Sequence, residues 1–104
     1  MKTLPPGLQF TRRTPEFTEA TLPAGLLHEH RTRPGVWGVI QVLEGTLEYH
    51  ILEPQEERHR LTPGHPGIVE PTMKHQVAPL GPVRFFVEFR AAPAATQPSQ
   101  DGPA

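Results

Sequence analysis

The stretch VWGVIQVLEGTLEYHIL (residues 36–52) decides the fold class of this chain. From residue 46 onward polar and apolar side chains alternate, the apolar ones being Leu47, Tyr49 and Ile51. A period of two is the spacing with which a β-strand presents side chains to its two faces. Glu44 and Gly45 separate this run from an extended apolar run before it, so the stretch predicts a β-hairpin.

Short extended runs separated by turn formers continue on both sides of this stretch. The clearest are residues 25–32, 67–71, 75–80 and 82–89. The chain has 14 prolines and 9 glycines, which disfavour long helices because proline lacks a backbone donor and glycine is costly to order. Turn signals recur about every ten residues, a spacing typical of β-sandwiches and barrels. We therefore expect an all-β fold.

Length and composition predict one small domain. The chain has 104 residues, of which 36% are hydrophobic, and closing a sheet on itself uses so few apolar side chains economically. Residues 1–90 are expected to form this domain, including an N-terminal arm. Residues 91–104 (AAPAATQPSQDGPA) are expected to be a disordered tail, because they hold too little apolar surface to offset their ordering entropy.

Charge and hydropathy argue against several partners. The net charge is -1 and no basic patch is dense enough for a nucleic-acid backbone. No window approaches the roughly 18 apolar residues of a membrane span, and the N-terminus has no apolar run of secretory length. The absence of cysteine removes disulfides and thiolate ligands and fits a reducing compartment. We expect a soluble, cytoplasmic protein.

Three of the six histidines are candidate metal ligands. His28 and His30 share a strand face because side chains alternate, and His75 opens the run 75–80 directly after a turn. The remaining three are expected to be solvated, and they are His50, His59 and His65. Two imidazoles and one carboxylate would suit iron, manganese or nickel, and zinc accepts the same set.

Two carboxylates stand in apolar strand context, Glu70 in GIVEP and Glu88 in FFVEF. Burying a carboxylate without a partner is expensive, so each faces either water or a cavity that compensates its charge. For Glu88 the alternative to a cavity is an outward face, where Arg84 or Arg90 would form a weak surface pair with it.

The order of four motifs resembles a known family. HRT is followed by GVWGVIQVLEGTLEYHIL, then by GIVEPTMKHQV and then by GPVRFFVEF. Over residues 15–90 this order resembles the small TehB-like cupin family, which includes stand-alone bacterial proteins of the YeaR type and N-terminal domains of some tellurite-resistance methyltransferases. Each motif is unspecific alone, whereas the combination is specific.

The resemblance implies a cupin fold, a closed antiparallel jelly-roll barrel, with a metal site inside it. His75 then stands at the metal-binding histidine of the second cupin motif. The phrase EHRT favours His30 as the second ligand and leaves His28 beside the site or on the surface.

The usual cupin glutamate falls near Trp37 and Gly38, neither of which can ligate. The missing carboxylate is then Glu70 or Glu88, and both stay open. Trp37 is either a core residue at the barrel end or a pocket wall. Arg84 is either solvated or the anchor of an anionic ligand.

Three function hypotheses follow. The first is a small metal-binding cupin that holds one divalent ion (zinc, iron, manganese or nickel) and a small oxygen-bearing ligand, linked by resemblance to tellurite or related stress. The second is a metal-free module that binds a small molecule or docks on a methyltransferase. The third is a homodimer in which the N-terminal arm completes the partner's sheet. The sequence assigns no reaction.

Overall fold

The computed structural model describes residues 1–27 and 32–93 of the chain. Six strands are present in this part: β1 (Gln9–Arg13), β2 (Phe17–Thr18), β3 (Trp37–Ile51), β4 (Glu57–Leu61), β5 (Gly67–Val69) and β6 (His75–Ala91). A 3-10 turn spans Ala24–Leu27. All strand pairs are antiparallel, so the all-β prediction is confirmed. Within these residues no helix has the length and apolarity needed to cross a bilayer.

Two long strands, β3 and β6, form the spine of the sheet. They pair from Ile51 with His75 to Trp37 with Arg90. On the other edge of β3 lie β5 and then β4, and on the other edge of β6 lie β2 and β1. The described pairings therefore run in the order β1-β6-β3-β4 and have two ends.

The predicted hairpin at Glu44 and Gly45 is wrong, because β3 continues through both residues as one strand. The register with β6 shifts on either side of this point, which marks a bulge. Gly45 has a φ of 82°, and a Cβ there would lie 2.1 Å from the carbonyl oxygen of Pro82. Glycine is needed here for a close approach inside a strand, and not for a reversal of the chain.

Two other sequence predictions change in the same way. The runs 75–80 and 82–89 are one strand and not two. The strand expected over 25–32 begins instead as the 3-10 turn, and residues 28–31 lie outside the described part. The predicted tail, from residue 94 onward, also lies outside it.

The bulge sets which side chains face the core. We call the core side of the β3 and β6 ribbon the inner face and the opposite side the outer face. Before the bulge the even residues of β3, such as Ile40 and Val42, are inner, and after it the odd ones are. One extra residue shifts the alternation by one, so both apolar halves of the strand point inward.

The inner face and the short strands enclose a single core cluster. Its buried members are Ile40, Val42, Leu47, Tyr49, Ile51, Leu61, Val69, Met73, Val77, Val83 and Phe85. Tyr49 is fully buried and its hydroxyl donates to the carbonyl of Ile68 at 2.8 Å. The core thus reaches along both halves of the spine and leaves space only where the 3-10 turn approaches it.

Candidate functional site

A cavity of about 270 Å³ opens on the inner face between the spine, β1, β2 and the 3-10 turn. Its wall is mainly apolar and includes Leu26, Ile40, Val77, Phe85, Val87 and Phe89. Gly38 leaves room in this wall, since a Cβ there would meet the Val69 side chain at 3.2 Å. A concave apolar space with few polar groups is the usual form of a small-molecule site.

His75 is the buried polar group of the cavity wall, with 4% of its surface exposed. Its Nδ1 lies 3.1 Å from the carbonyl oxygen of Met73, and its ring meets the edge of Tyr49 at a centroid distance of 5.8 Å. A carbonyl oxygen only accepts, so Nδ1 carries the proton. In the neutral ring the lone pair is then on Nε2, the arrangement that fixes histidines that ligate metals.

Arg12 and two threonines complete the polar part of the wall. The guanidinium of Arg12 lies 4.5 Å from the centroid of Phe89, over the ring. Thr14 accepts from the Val87 amide at 3.0 Å, and Thr32 donates to the carbonyl of Val36 at 2.8 Å. The two hydroxyls hold the wall together through the backbone, whereas the Arg12 charge stays at its exposed rim.

The two predicted carboxylates lie outside the cavity lining. Glu70 pairs with Lys2 at 3.6 Å and borders a separate recess with Glu53. Glu88 is on the outer face and pairs with Arg90 at 3.5 Å. Neither carboxylate is brought to His75, because Glu70 follows the strand residue that faces the cavity and Glu88 has the opposite parity to Val87 and Phe89.

The predicted ligand His30 and its neighbour His28 lie outside the described residues. Across residues 1–27 and 32–93, no group of three or more histidine or acidic side chains is placed to hold a metal ion. Within that part of the chain, His75 alone represents the predicted metal set in the cavity.

Trp37 and Arg84 are also placed away from the cavity. Trp37 pairs with Arg90 in register and belongs to the outer face. Arg84 binds Glu44 at 2.9 Å and Glu16 at 2.8 Å, and these hydrogen bonds raise the pKa of its guanidinium. The surface alternatives weighed for these residues agree with this geometry.

The remaining histidines are less solvated than expected. His50 is only 8% exposed, and its Nε2 lies 2.6 Å from Glu56. His59 contacts Glu57 at 2.8 Å, and His65 is exposed beside Thr62. For His50 the prediction of a solvated side chain is wrong, since Glu56 folds back over the outer face and covers it.

Sequence reasoning missed Arg12 and the 3-10 turn as parts of the site. Both lie in the segment interpreted as an arm, which has no run of alternating apolar residues. A usable signal was the spacing of Arg12 and Thr14, which places them on one face of an extended segment.

The fold and cavity define a small all-β protein with one antiparallel sheet around an apolar, ligand-sized space. The model of the TehB-like domain matches residues 12–87, and the chain belongs to this family. Uncharacterized protein YeaR of Escherichia coli (strain K12) is 28% identical over 103 residues, which cover 89% of this chain and 86% of YeaR.

A second relative is much longer than this chain. It is named "Probable S-adenosyl-L-methionine-dependent methyltransferase TehB", from Haemophilus influenzae, and is 33% identical over 73 residues. The match covers 66% of this chain and 26% of TehB, so the chain spans about a quarter of that relative.

Solved structures share the fold. A crystal structure of an E. coli (strain K12) protein superposes with a TM-score of 0.79 at 25% identity, covering 89% of this chain and 99% of that one. The crystal structure of TehB gives a TM-score of 0.78 at 24% identity over 95% of this chain and 37% of TehB.

Proposed function

We propose that this chain is a small-molecule-binding module and that the cavity beside His75 receives the ligand. The observation that carries the proposal is an apolar space of about 270 Å³ with a buried imidazole in its wall. At about 30 Å³ per water molecule this equals roughly nine waters, enough for a compact organic molecule. Protein interiors are otherwise close-packed, so a space of this size is a feature to be explained.

The family resemblance extends the proposal to the cupin jelly-roll. In support, both halves of β3 direct apolar side chains toward one core, as the strands of a curved sheet do. The register shifts near Gly45 supply local bending of the spine. Closure into a barrel is part of the proposal and not of the described strand pairs.

A metal ion held by His75 and His30 is the second candidate function. It is favoured by the contact between His75 Nδ1 and the Met73 carbonyl, which leaves Nε2 as the ligating atom. Glu70 and Glu88 do not fit as further ligands from their described positions, because both are paired outside the cavity. A bound ion would polarise an oxygen of the small ligand.

The relationship to TehB adds a third element to the proposal. Because this chain covers only 26% of that relative, any part in methyl transfer or in tellurite stress would require a methyltransferase supplied in trans. The cavity would then present or sequester a small molecule for the partner.

Cavity binding is tested by blocking the space. Leu26 lines the cavity, whereas the adjacent Leu27 is 39% exposed and does not line it. Leu26→Trp should abolish binding of benzamide, a neutral probe, in a chemical-shift titration of the full chain. Leu27→Trp is the matched control and should bind as the unchanged protein does. Equal binding by the two variants, or no shifts at cavity residues in the unchanged chain, would refute the proposal.

Metal binding has a separate test. Elemental analysis of protein purified without a histidine tag should give about one equivalent of metal, as a single-ion site requires. His75→Ala should lose it and His59→Ala should keep it, since His59 pairs with Glu57 outside the cavity. A trace of metal in the unchanged protein would eliminate this candidate and leave cavity binding standing.

A further inference from the structure

The charge at the rim of the cavity comes from Arg12. It lies in β1 opposite Phe89, and its guanidinium carbon is 4.5 Å from the centroid of that ring. Among the described residues no carboxylate lies within 4 Å of the Arg12 side chain. Other arginines in the described part are ion-paired, and they are Arg13, Arg58, Arg84 and Arg90.

The wall around this cation has no charge that opposes it. Its described side chains include no aspartate or glutamate, and Glu70 and Glu88 are both turned away. A guanidinium beside an apolar, low-dielectric wall gives the mouth a positive potential. Such a mouth attracts an anion and repels a cationic ligand.

The position of Arg12 also suits a particular kind of anion. Phe89 lies under the guanidinium plane, which leaves the donating edges free to form paired hydrogen bonds. A carboxylate accepts two parallel N–H donors from arginine in one plane. A phosphate would match the same fork, but its second charge would have only this one cation at the rim.

We propose that the cavity binds a small monocarboxylate, with its apolar body against Ile40, Phe85 and Val87 and its carboxylate on Arg12. This inference rests on the proposed function and specifies its ligand class. The size fits a ring or short branched chain, because a dry cavity of about 150 Å³ already holds benzene and this one has about 270 Å³.

The chain provides a matched control for the cation. Arg13 is the next residue of β1, and its guanidinium lies 3.8 Å from the centroid of Phe86 on the outer face. Removing either charge changes the net charge equally and removes one cation–π contact. Only Arg12→Gln alters the cavity rim, so any difference between the two variants reports on the site and not on long-range charge.

The experiment compares benzoate, benzamide and phenyl phosphate in calorimetric and chemical-shift titrations of the full chain, with EDTA present so that no metal ion binds the anion. Benzoate should bind the unchanged protein about tenfold more tightly than benzamide, and more tightly than phenyl phosphate. Arg12→Gln should reduce the benzoate preference to within about twofold, Arg12→Lys should retain part of it, and Arg13→Gln should keep all of it.

Each alternative result is decisive. Equal affinity for benzoate and benzamide, or equal loss in Arg12→Gln and Arg13→Gln, would overturn the carboxylate assignment while leaving a neutral-ligand cavity intact. Tighter binding of phenyl phosphate would overturn it in favour of a phosphate monoester. Binding of none of the three probes would contradict both this inference and the proposed function. Circular dichroism and thermal melting of each variant confirm that the exposed substitutions leave the fold unchanged.

Discussion

The inner and outer faces of the β3 and β6 ribbon use similar residues for different purposes. Phe85 is fully buried in the core and lines the cavity, whereas the next residue, Phe86, lies on the outer face under Arg13. Arg12 and Arg13 are divided in the same way, one over each face. Position relative to the sheet, and not residue type, decides which of two identical neighbours belongs to the site.

The outer face is covered by polar side chains and not by a second layer of strands. Phe86 is 9% exposed, and the aliphatic stem and planar head of Arg13 lie over it. Within the described residues, Arg90 Nε is buried without a hydrogen-bond partner. This face therefore holds its apolar residues with less packing and less complete polar pairing than the inner face.

Truncating the two phenylalanines gives the largest expected contrast. Phe85→Ala should destabilise the chain by about 3–5 kcal/mol, because it empties a site inside the core and enlarges the cavity. Phe86→Ala should cost about half as much, since Arg13 and solvent can refill the space it leaves. Urea unfolding of both variants measures the difference. Equal losses would show that the outer face is packed as a second core.

The bulge that creates the two faces gives the second contrast. Gly45→Ala should cost on the order of 3 kcal/mol, because the new Cβ combines a positive φ with a clash on the Pro82 carbonyl. Gly81 has a φ of +98° with nothing within 4 Å, so Gly81→Ala should cost only about 1–2 kcal/mol. The same urea experiment compares them, and an equal cost would mean that the close approach at Gly45 is unimportant.

Tyr49 provides the smallest and most specific contrast. Burial, followed by the charges of Glu70 and Glu57, raises the pKa of its phenol. Because the unfolded pKa is about 10, stability should be complete below that pH and fall as pH rises above it. Tyr49→Phe should remove this alkaline loss and cost about 1 kcal/mol near neutral pH through the bond to Ile68.

Ultraviolet absorbance follows this prediction directly, since Tyr49 is the only tyrosine. The phenolate signal should appear together with unfolding and not before it. Ionisation near pH 10 in a chain that is still folded would show that Tyr49 is accessible from the cavity side.

Local patterns predicted the strands well and their connections poorly. Alternation over residues 46–52 correctly identified the inner residues Leu47, Tyr49 and Ile51. The same local information could not show that Gly45 lies in a bulge, because its close neighbour, Pro82, is far away in the sequence. A glycine with a positive φ is compatible with both a turn and a bulge.

The site was predictable only in part for a related reason. The family resemblance drew attention to His75, which does line the cavity. The parity of Glu88 on its own strand was clear, but which face becomes the inner one depends on pairing across the whole spine. Arg12 reaches the cavity through pairing with Phe89, which no short-range pattern contains.

The pairing of β1 with the far end of β6 also has a consequence for folding order. The spine can start to pair where its strands are closest in sequence, at Ile51 and His75, and extend toward Trp37 and Arg90. The pairs between Arg12 and Phe89 close the longest loop and contribute little buried surface, so we expect them to form last and open first. A ligand held there would slow that opening, which makes hydrogen exchange at the β1 amides a direct reporter of occupancy.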